Sequence, residues 1–118
     1  MRRAKALALA ALEEAERALG GGATLPDCPL CGRPIPPQQR DAHHLVPKSK
    51  GGRGTIDLHR ICHRQIHAVL TETELARSYH SVPQLLAHPA LQSFVAWVRT
   101  KPDDFFVRTR KSDRLRRR

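Results

Sequence analysis

Cysteine and histidine, the side chains best suited to bind transition metals, are gathered into one stretch of the chain. Cys28-Pro-Leu-Cys31 is a C-x-x-C knuckle, Cys62 follows, and five of the seven histidines (His43, His44, His59, His63 and His67) lie in the same stretch. These eight candidate ligands exceed the roughly four positions of one tetrahedral ion, so two centres are expected. A closed structural zinc site favours thiolates, and Cys28-x-x-Cys31 with His59-x-x-Cys62 supplies two knuckles of matching spacing. That leaves His43, His44, His63 and His67 for a second, open centre. His63 and His67 are four residues apart, so in a helix they project from one face about one turn apart and can chelate a single ion. His59 continues the same spacing and could join the open centre. The zinc assignment is preferred because three thiolates alone would leave that site incomplete. Asp41 is an alternative carboxylate ligand.

Short elements must position these residues. Residues 3–19 are rich in Ala, Leu, Glu, Lys and Arg, and the run stops at Gly20, Gly21 and Gly22, which predicts an N-terminal helix. Prolines at 26, 29, 34, 36 and 37 make residues 26–37 a loop. Asp41–Val46 reads as extended, ahead of Pro47, and Lys48-Ser-Lys-Gly-Gly-Arg-Gly as a cationic turn. A hairpin pairing 43–46 with 54–58 follows. Adjacent strand residues point to opposite faces, so His43 and His44 share a site only where the strand twists, bulges or ends. A helix is predicted from Arg60 to Leu70, and Thr71 with Glu74 has capping-box spacing for another reaching Tyr79. Further helices start at Ser81-x-Pro83 and His88-Pro89, the last with Leu91, Phe94, Val95 and Val98 as a core stripe joined by Trp97.

The 118 residues suit one small domain, with 40% hydrophobic and 27% charged side chains. Lys and Arg number 21 against 11 Asp and Glu, a net charge of +10 with an isoelectric point near 10.8. That excess points to a polyanionic partner, most simply nucleic acid. Residues 108–118 hold seven basic groups and one acid, a net +6 that composition predicts to be a disordered, phosphate-attracting tail. No apolar run approaches the roughly 20 residues of a membrane helix, so no membrane partner is expected. Acidic Glu13, Glu14 and Glu16 interrupt the start as a secretory leader, and the odd cysteine count argues against disulfides; a cytoplasmic, reducing location is expected. Lys48, Lys50 and Arg53 in the loop, with Arg60 and Arg64 on the helix, are candidate phosphate contacts without base specificity. Five aromatic side chains in all give no stacking platform for bases.

Taken together, Cys28-Pro-Leu-Cys31-Gly-Arg-Pro, His43-His44-Leu-Val-Pro-Lys-Ser-Lys-Gly-Gly and Leu58-His59-Arg-Ile-Cys62-His63-Arg-Gln-Ile-His67 resemble the HNH endonucleases, in their zinc-knuckle form. The resemblance spans about residues 28–70. It implies an α+β fold: a small zinc-braced ββα-metal core at 23–70, an N-terminal helix at 1–22, a helical C-terminal cap at 71–107 and the basic tail at 108–118. It also implies metal-dependent hydrolysis of DNA phosphodiesters, to leave a 5′ phosphate and a 3′ hydroxyl. His44 matches the general base, and His43, His63 and His67 match ligands of a catalytic divalent metal (Mg²⁺, Mn²⁺, Ni²⁺ or Zn²⁺) in the catalytic set. Cys28, Cys31, His59 and Cys62 match the structural zinc ligands, with His59 in the third of the family's four cysteine positions. The chain has no asparagine, so the family's bracing Asn is replaced by Thr55 or Asp57 or is missing. That departure leaves a rival reading, a zinc-stabilised nucleic-acid-binding module without catalysis. RNA is an alternative target to DNA, and oligomeric state is not readable.

Overall fold

The computed structural model describes residues 24–116; the helix expected over 3–19 lies outside the described residues. Proline-rich residues 26–37 form a loop that closes on itself. The Cys28 amide donates to the Arg33 carbonyl at 2.9 Å, the Gly32 amide to the Cys28 carbonyl at 2.7 Å and the Ile35 amide to the Pro26 carbonyl at 2.8 Å. Gly32 sits at φ +83°, in the left-handed region that glycine adopts without steric cost. Cys28 and Cys31 are thereby held on one tight turn.

Strand β1 (Arg40–His44) pairs antiparallel with β2 (Thr55–His59), in a register that sets Arg40 opposite His59 and His44 opposite Thr55. Of the hairpin expected over 43–46 and 54–58, the first strand lies nearer the N-terminus by two to three residues and the second starts and ends one residue later. Pairing stops at His44 because Pro47 opens a 3₁₀ turn at Lys48–Lys50, its carbonyl accepting from Lys50 at 2.8 Å and Gly52 at 3.1 Å. Leu45 and Val46 are thus drawn into the turn. An isolated two-stranded hairpin is marginal in water, so this one depends on what packs against it.

Helix α1 (Arg60–Val69) begins directly after β2, with His59 at the N-cap position, and buries Ile61, Cys62, Ile66, Ala68 and Val69. Helix α2 (Glu72–Ser78) carries the expected capping box: the Thr71 hydroxyl accepts from the Glu74 amide at 3.1 Å, and the Glu74 carboxylate accepts from the Thr71 amide at 2.9 Å. Short α3 (Val82–Leu86) and longer α4 (Pro89–Val98) follow, capped by Ser81 and His88. Leu58 of β2, Ile61, Ile66 and Val69 of α1, Leu75, Leu85 and the α4 stripe of Leu91, Phe94, Val95 and Val98 make one apolar cluster. Each such large side chain contributes about 1.5–3 kcal/mol on burial. Trp97, expected in this core, is instead 44% exposed. Six residues beyond Leu91 it lies about 240° around the helix, well off the buried stripe.

Past α4 the chain turns back along α1. The guanidinium groups of Arg60 and Arg64 lie over the Phe106 ring, 5.1 and 5.4 Å from its centroid. Residues 108–116, which composition predicts to be disordered, are tied down as far as the one-turn helix α5 (Asp113–Arg116). The Ser112 amide donates to the Ala68 carbonyl at 2.8 Å, and Arg114 donates to the Val69 carbonyl at 2.7 Å and to the Glu74 carboxylate at 2.9 Å. The physical reason is the C-terminal end of α1, whose last carbonyls lack helical partners and attract cations. Among the described residues no helix is long and apolar enough to cross a membrane.

Candidate metal centres

Cys28 and Cys31 come from the proline-rich turn, His59 from the end of β2 and Cys62 from the first turn of α1. All four are buried, and one ligand atom from each lies within 4.8 Å of every other. His59 Nε2 is 2.9 Å from the Asp103 carbonyl oxygen, which can only accept, so Nε2 carries a proton, and Nδ1 lies on the thiol side of the ring, 3.4 Å from Cys31 Sγ. Two arginines brace the turn from outside. Arg33 Nε donates to Cys31 Sγ at 3.3 Å while its Nη1 reaches the carbonyls of Lys101 and Pro102, and Arg99 Nε donates to the Cys31 carbonyl at 3.0 Å.

The electrostatics of this group are those of crowded donors. Hydrogen bonds from Cys28 and Cys62 push the Cys31 thiol down, against burial and with help from His59. Cys28 and Cys31, with burial, push Cys62 up. Burial opposes charge on His59, but the Cys28 and Cys31 thiols outweigh it and raise the ring to about 9. Negative charge on one sulfur thus comes at the expense of its neighbours, which a divalent cation among them would relieve. A buried Cys₃His set is chemically suited to zinc.

The second group is built from β1 and α1. His43, His63 and His67 bring their rings together, with centroids 5.2 Å (His43–His63), 5.4 Å (His43–His67) and 5.0 Å (His63–His67) apart and ligand atoms within 4.8 Å of one another. His43 is fully buried and neither ring nitrogen has a hydrogen-bond partner among the described residues. Two orphaned nitrogens in a buried imidazole are costly unless something occupies them, so the residues fit a cation. Burial, then the charges of His63, His67 and His44, lower His43 to about 4, and burial followed by His63 lowers His67. Both rings therefore stay neutral, with lone pairs free, at neutral pH.

Asp41, two residues before His43 and on the same face of β1, meets His63: its Oδ2 lies 3.1 Å from His63 Nδ1. Asp41 lies outside the ligand group. The carboxylate instead holds the Nδ1 proton and leaves Nε2 of His63 as the donor. His44 ends β1 and is half-buried beside the group, not within it. In the register it faces Thr55, whereas Asp57 faces Ala42, so of the two candidate replacements for the missing asparagine Thr55 is the one beside His44.

Of the candidate phosphate contacts, Lys48, Lys50 and Arg53 are exposed on the β1–β2 loop. Arg60 and Arg64 cover Phe106, and Arg64 also lines a cavity of about 470 Å³ that opens on His63 and His67. Sequence reasoning missed the opposite wall of that cavity, Arg108, Thr109 and Lys111. It also missed Arg33, Arg99 and the Asp103 carbonyl around the thiols. The basic composition of the tail was the one available signal; a backbone carbonyl contributed across 44 residues leaves none.

The family model described as HNH endonuclease matches residues 28–68, the span that holds both ligand groups. A Bacillus subtilis (strain 168) protein described as "Uncharacterized protein YisB" is 41% identical over 88 residues, covering 73% of this chain and 86% of that protein. No solved structure matches the chain. With both donor groups, the hairpin and all but the last residue of the following helix inside the matched span, and with this relative covered over most of its length, the chain belongs to the HNH endonuclease family.

Proposed function

We propose that this protein is a metal-dependent endonuclease that hydrolyses DNA phosphodiester bonds, with His44 as general base and a divalent metal held by His43, His63 and His67. In this reading Cys28, Cys31, His59 and Cys62 hold a structural zinc that braces the hairpin and α1, residues 23–70 form the nuclease core, and residues 71–107 cap it. The observation that carries the reading is the convergence of three imidazoles from β1 and α1 beside a cation-lined cavity, with one ring buried and unpartnered. When bound, the divalent ion supplies positive charge that offsets the charge developing on the phosphoryl oxygens and the departing 3′ oxygen.

The chain's own groups do the rest. A neutral imidazole can accept a proton, and His44 takes one from the attacking water. The water oxygen bonds to phosphorus as the bond to the 3′ oxygen breaks, and that oxygen takes a proton from solvent water, leaving a 5′ phosphate and a 3′ hydroxyl. Asp41 fixes the His63 ring, and burial keeps His43 neutral. Lys48, Lys50 and Arg53 hold neighbouring phosphates, which sets position without base preference.

The test is nicking of supercoiled plasmid by the parent and His44→Ala with matched zinc content, in Mg²⁺, Mn²⁺ and Ni²⁺. The expected result is cutting by the parent and a loss of about 10²–10⁴ in rate for the variant, with DNA retention unchanged. If both bind and neither cuts in any metal, the chain is a zinc-stabilised binding module, the reading that the absent asparagine allows.

A further inference from the structure

The cavity beside the histidine group has two unlike walls. Asp41, His63 and His67 form one; Arg108, Thr109 and Lys111, from the C-terminal segment, form the other. That second wall is fastened at both ends. Upstream, Phe106 lies under Arg60 and Arg64; downstream, the Ser112 amide and the Arg114 guanidinium bind the last carbonyls of α1, and Arg114 pairs with Glu74. The fastenings give consecutive cations different surroundings. Lys111 lines the histidine cavity, while Arg110, one residue earlier, does not; it lines a second hollow of about 210 Å³ with Ile61, Phe94 and Trp97, and Arg108 and Thr109 line both.

Charge in the histidine cavity is unbalanced. Its single carboxylate, Asp41, is engaged by His63, and among the described residues Arg108 and Lys111 have no carboxylate partner. The Thr109 hydroxyl on the same wall has no hydrogen-bond partner among the described residues either. Unpaired cations concentrated on a concave surface raise the local concentration of anions.

We infer that residues 107–112 are a built wall of the nuclease site, in which Lys111 and Arg108 hold the backbone phosphate of the nucleic-acid strand presented to the histidine centre. This rests on the endonuclease reading and adds to it where the backbone is gripped. A tail that only attracts DNA at long range would use its cations interchangeably; a fastened wall uses Lys111 and not Arg110.

The experiment compares Lys111→Ala with Arg110→Ala, both exposed positions of equal charge in the same segment. Both are made in the zinc-loaded His44→Ala protein, so that binding of a fluorescein-labelled DNA duplex is measured by anisotropy without turnover, between about 0.05 and 0.2 M salt. One phosphate contact carries a slope of about −0.9 in log K against log salt, which at about 0.1 M is worth roughly eightfold in affinity. Lys111→Ala is expected to weaken binding by roughly that factor and to flatten the slope by about 0.9, with Arg110→Ala weakening it less than about twofold. Equal losses from the two variants overturn the wall while leaving the nuclease intact if the parent still cuts plasmid. A parent that neither binds nor cuts DNA overturns the endonuclease reading itself, and the wall with it.

Discussion

Replacing Cys28 by serine puts the proposed zinc site to a quantitative test. Cys28, Cys31, His59 and Cys62 are buried together, and an ion held among them would cross-link the proline-rich turn, the end of β2 and the first turn of α1. Structural zinc sites supply about 10–16 kcal/mol of binding free energy that is also folding free energy, comparable to the whole net stability of a small domain at about 5–15 kcal/mol. Shared equally over four ligands, one is worth about 2.5–4 kcal/mol. For a domain of this size each kcal/mol moves the midpoint by about 4–8 °C, so a loss of about 3 kcal/mol lowers Tm by roughly 12–24 °C. Cys28→Ser is therefore expected to melt that much earlier by circular dichroism and to hold less zinc by mass spectrometry after dialysis. The parent, treated with a strong chelator, should lose its cooperative transition. A Tm within about 5 °C of the parent's, with a full equivalent of zinc retained or with none bound to either protein, would refute the reasoning.

Three further outcomes follow from packing and charge. A Cβ on Gly52 would overlap the Val46 carbonyl oxygen, whereas one on Gly54 meets nothing within 4 Å, so Gly52→Ala should lose about 1–3 kcal/mol in urea unfolding and Gly54→Ala far less. Phe106→Ala removes a half-buried ring that packs against the core beneath Arg60 and Arg64; two cation–π contacts at about 0.5–1 kcal/mol each, with lost packing added, predict a loss of at least about 1–2 kcal/mol with zinc content unchanged. Hydrogen bonds from Arg114, then from the Thr71 amide, hold the Glu74 carboxyl down at about 2. A depressed folded value means this stabilisation is in place above the ordinary carboxylate range and is lost as pH falls toward 2. Carbon-13 NMR of the Glu74 side chain should place its midpoint near 2, and a midpoint near 4 would mean the tail is not fastened there.

How far the sequence spoke for this structure depended on the range of the signal. Local grammar carried well: the C-x-x-C turn, the i, i+4 pair His63 and His67, the Thr71/Glu74 capping box and the α4 stripe each depend on residues within a few positions. His59 was ambiguous from spacing alone, since it continues the His63 and His67 series. The structure separates them because α1 begins only at Arg60, which leaves His59 on the strand with its ring toward the thiols. Trp97 was misplaced by hydrophobicity, where angular position on α4 decides. Asp41 could be read as a ligand but not as the partner of His63, because that depends on how β1 lies against α1. The C-terminal segment was least legible: its composition argues against a core, and the carbonyls that tie it down belong to a helix some 45 positions earlier.

Helix α1 carries donors of both groups, and two of them, Cys62 and His63, are consecutive residues, about 100° apart around the helix. Insertion or deletion of one residue between His59 and His67 would turn one set of donors away from its partners, so lineages of this protein can change that stretch only by substitution. The Lys48–Gly54 turn holds no ligand of either group; its first part is fixed by the Pro47 carbonyl and by Gly52 against Val46, so its freedom lies at Arg53 and Gly54. Length variation among relatives should therefore collect in that turn, which changes the reach of its cations toward nucleic acid while the distance between the two metal-binding groups stays constant.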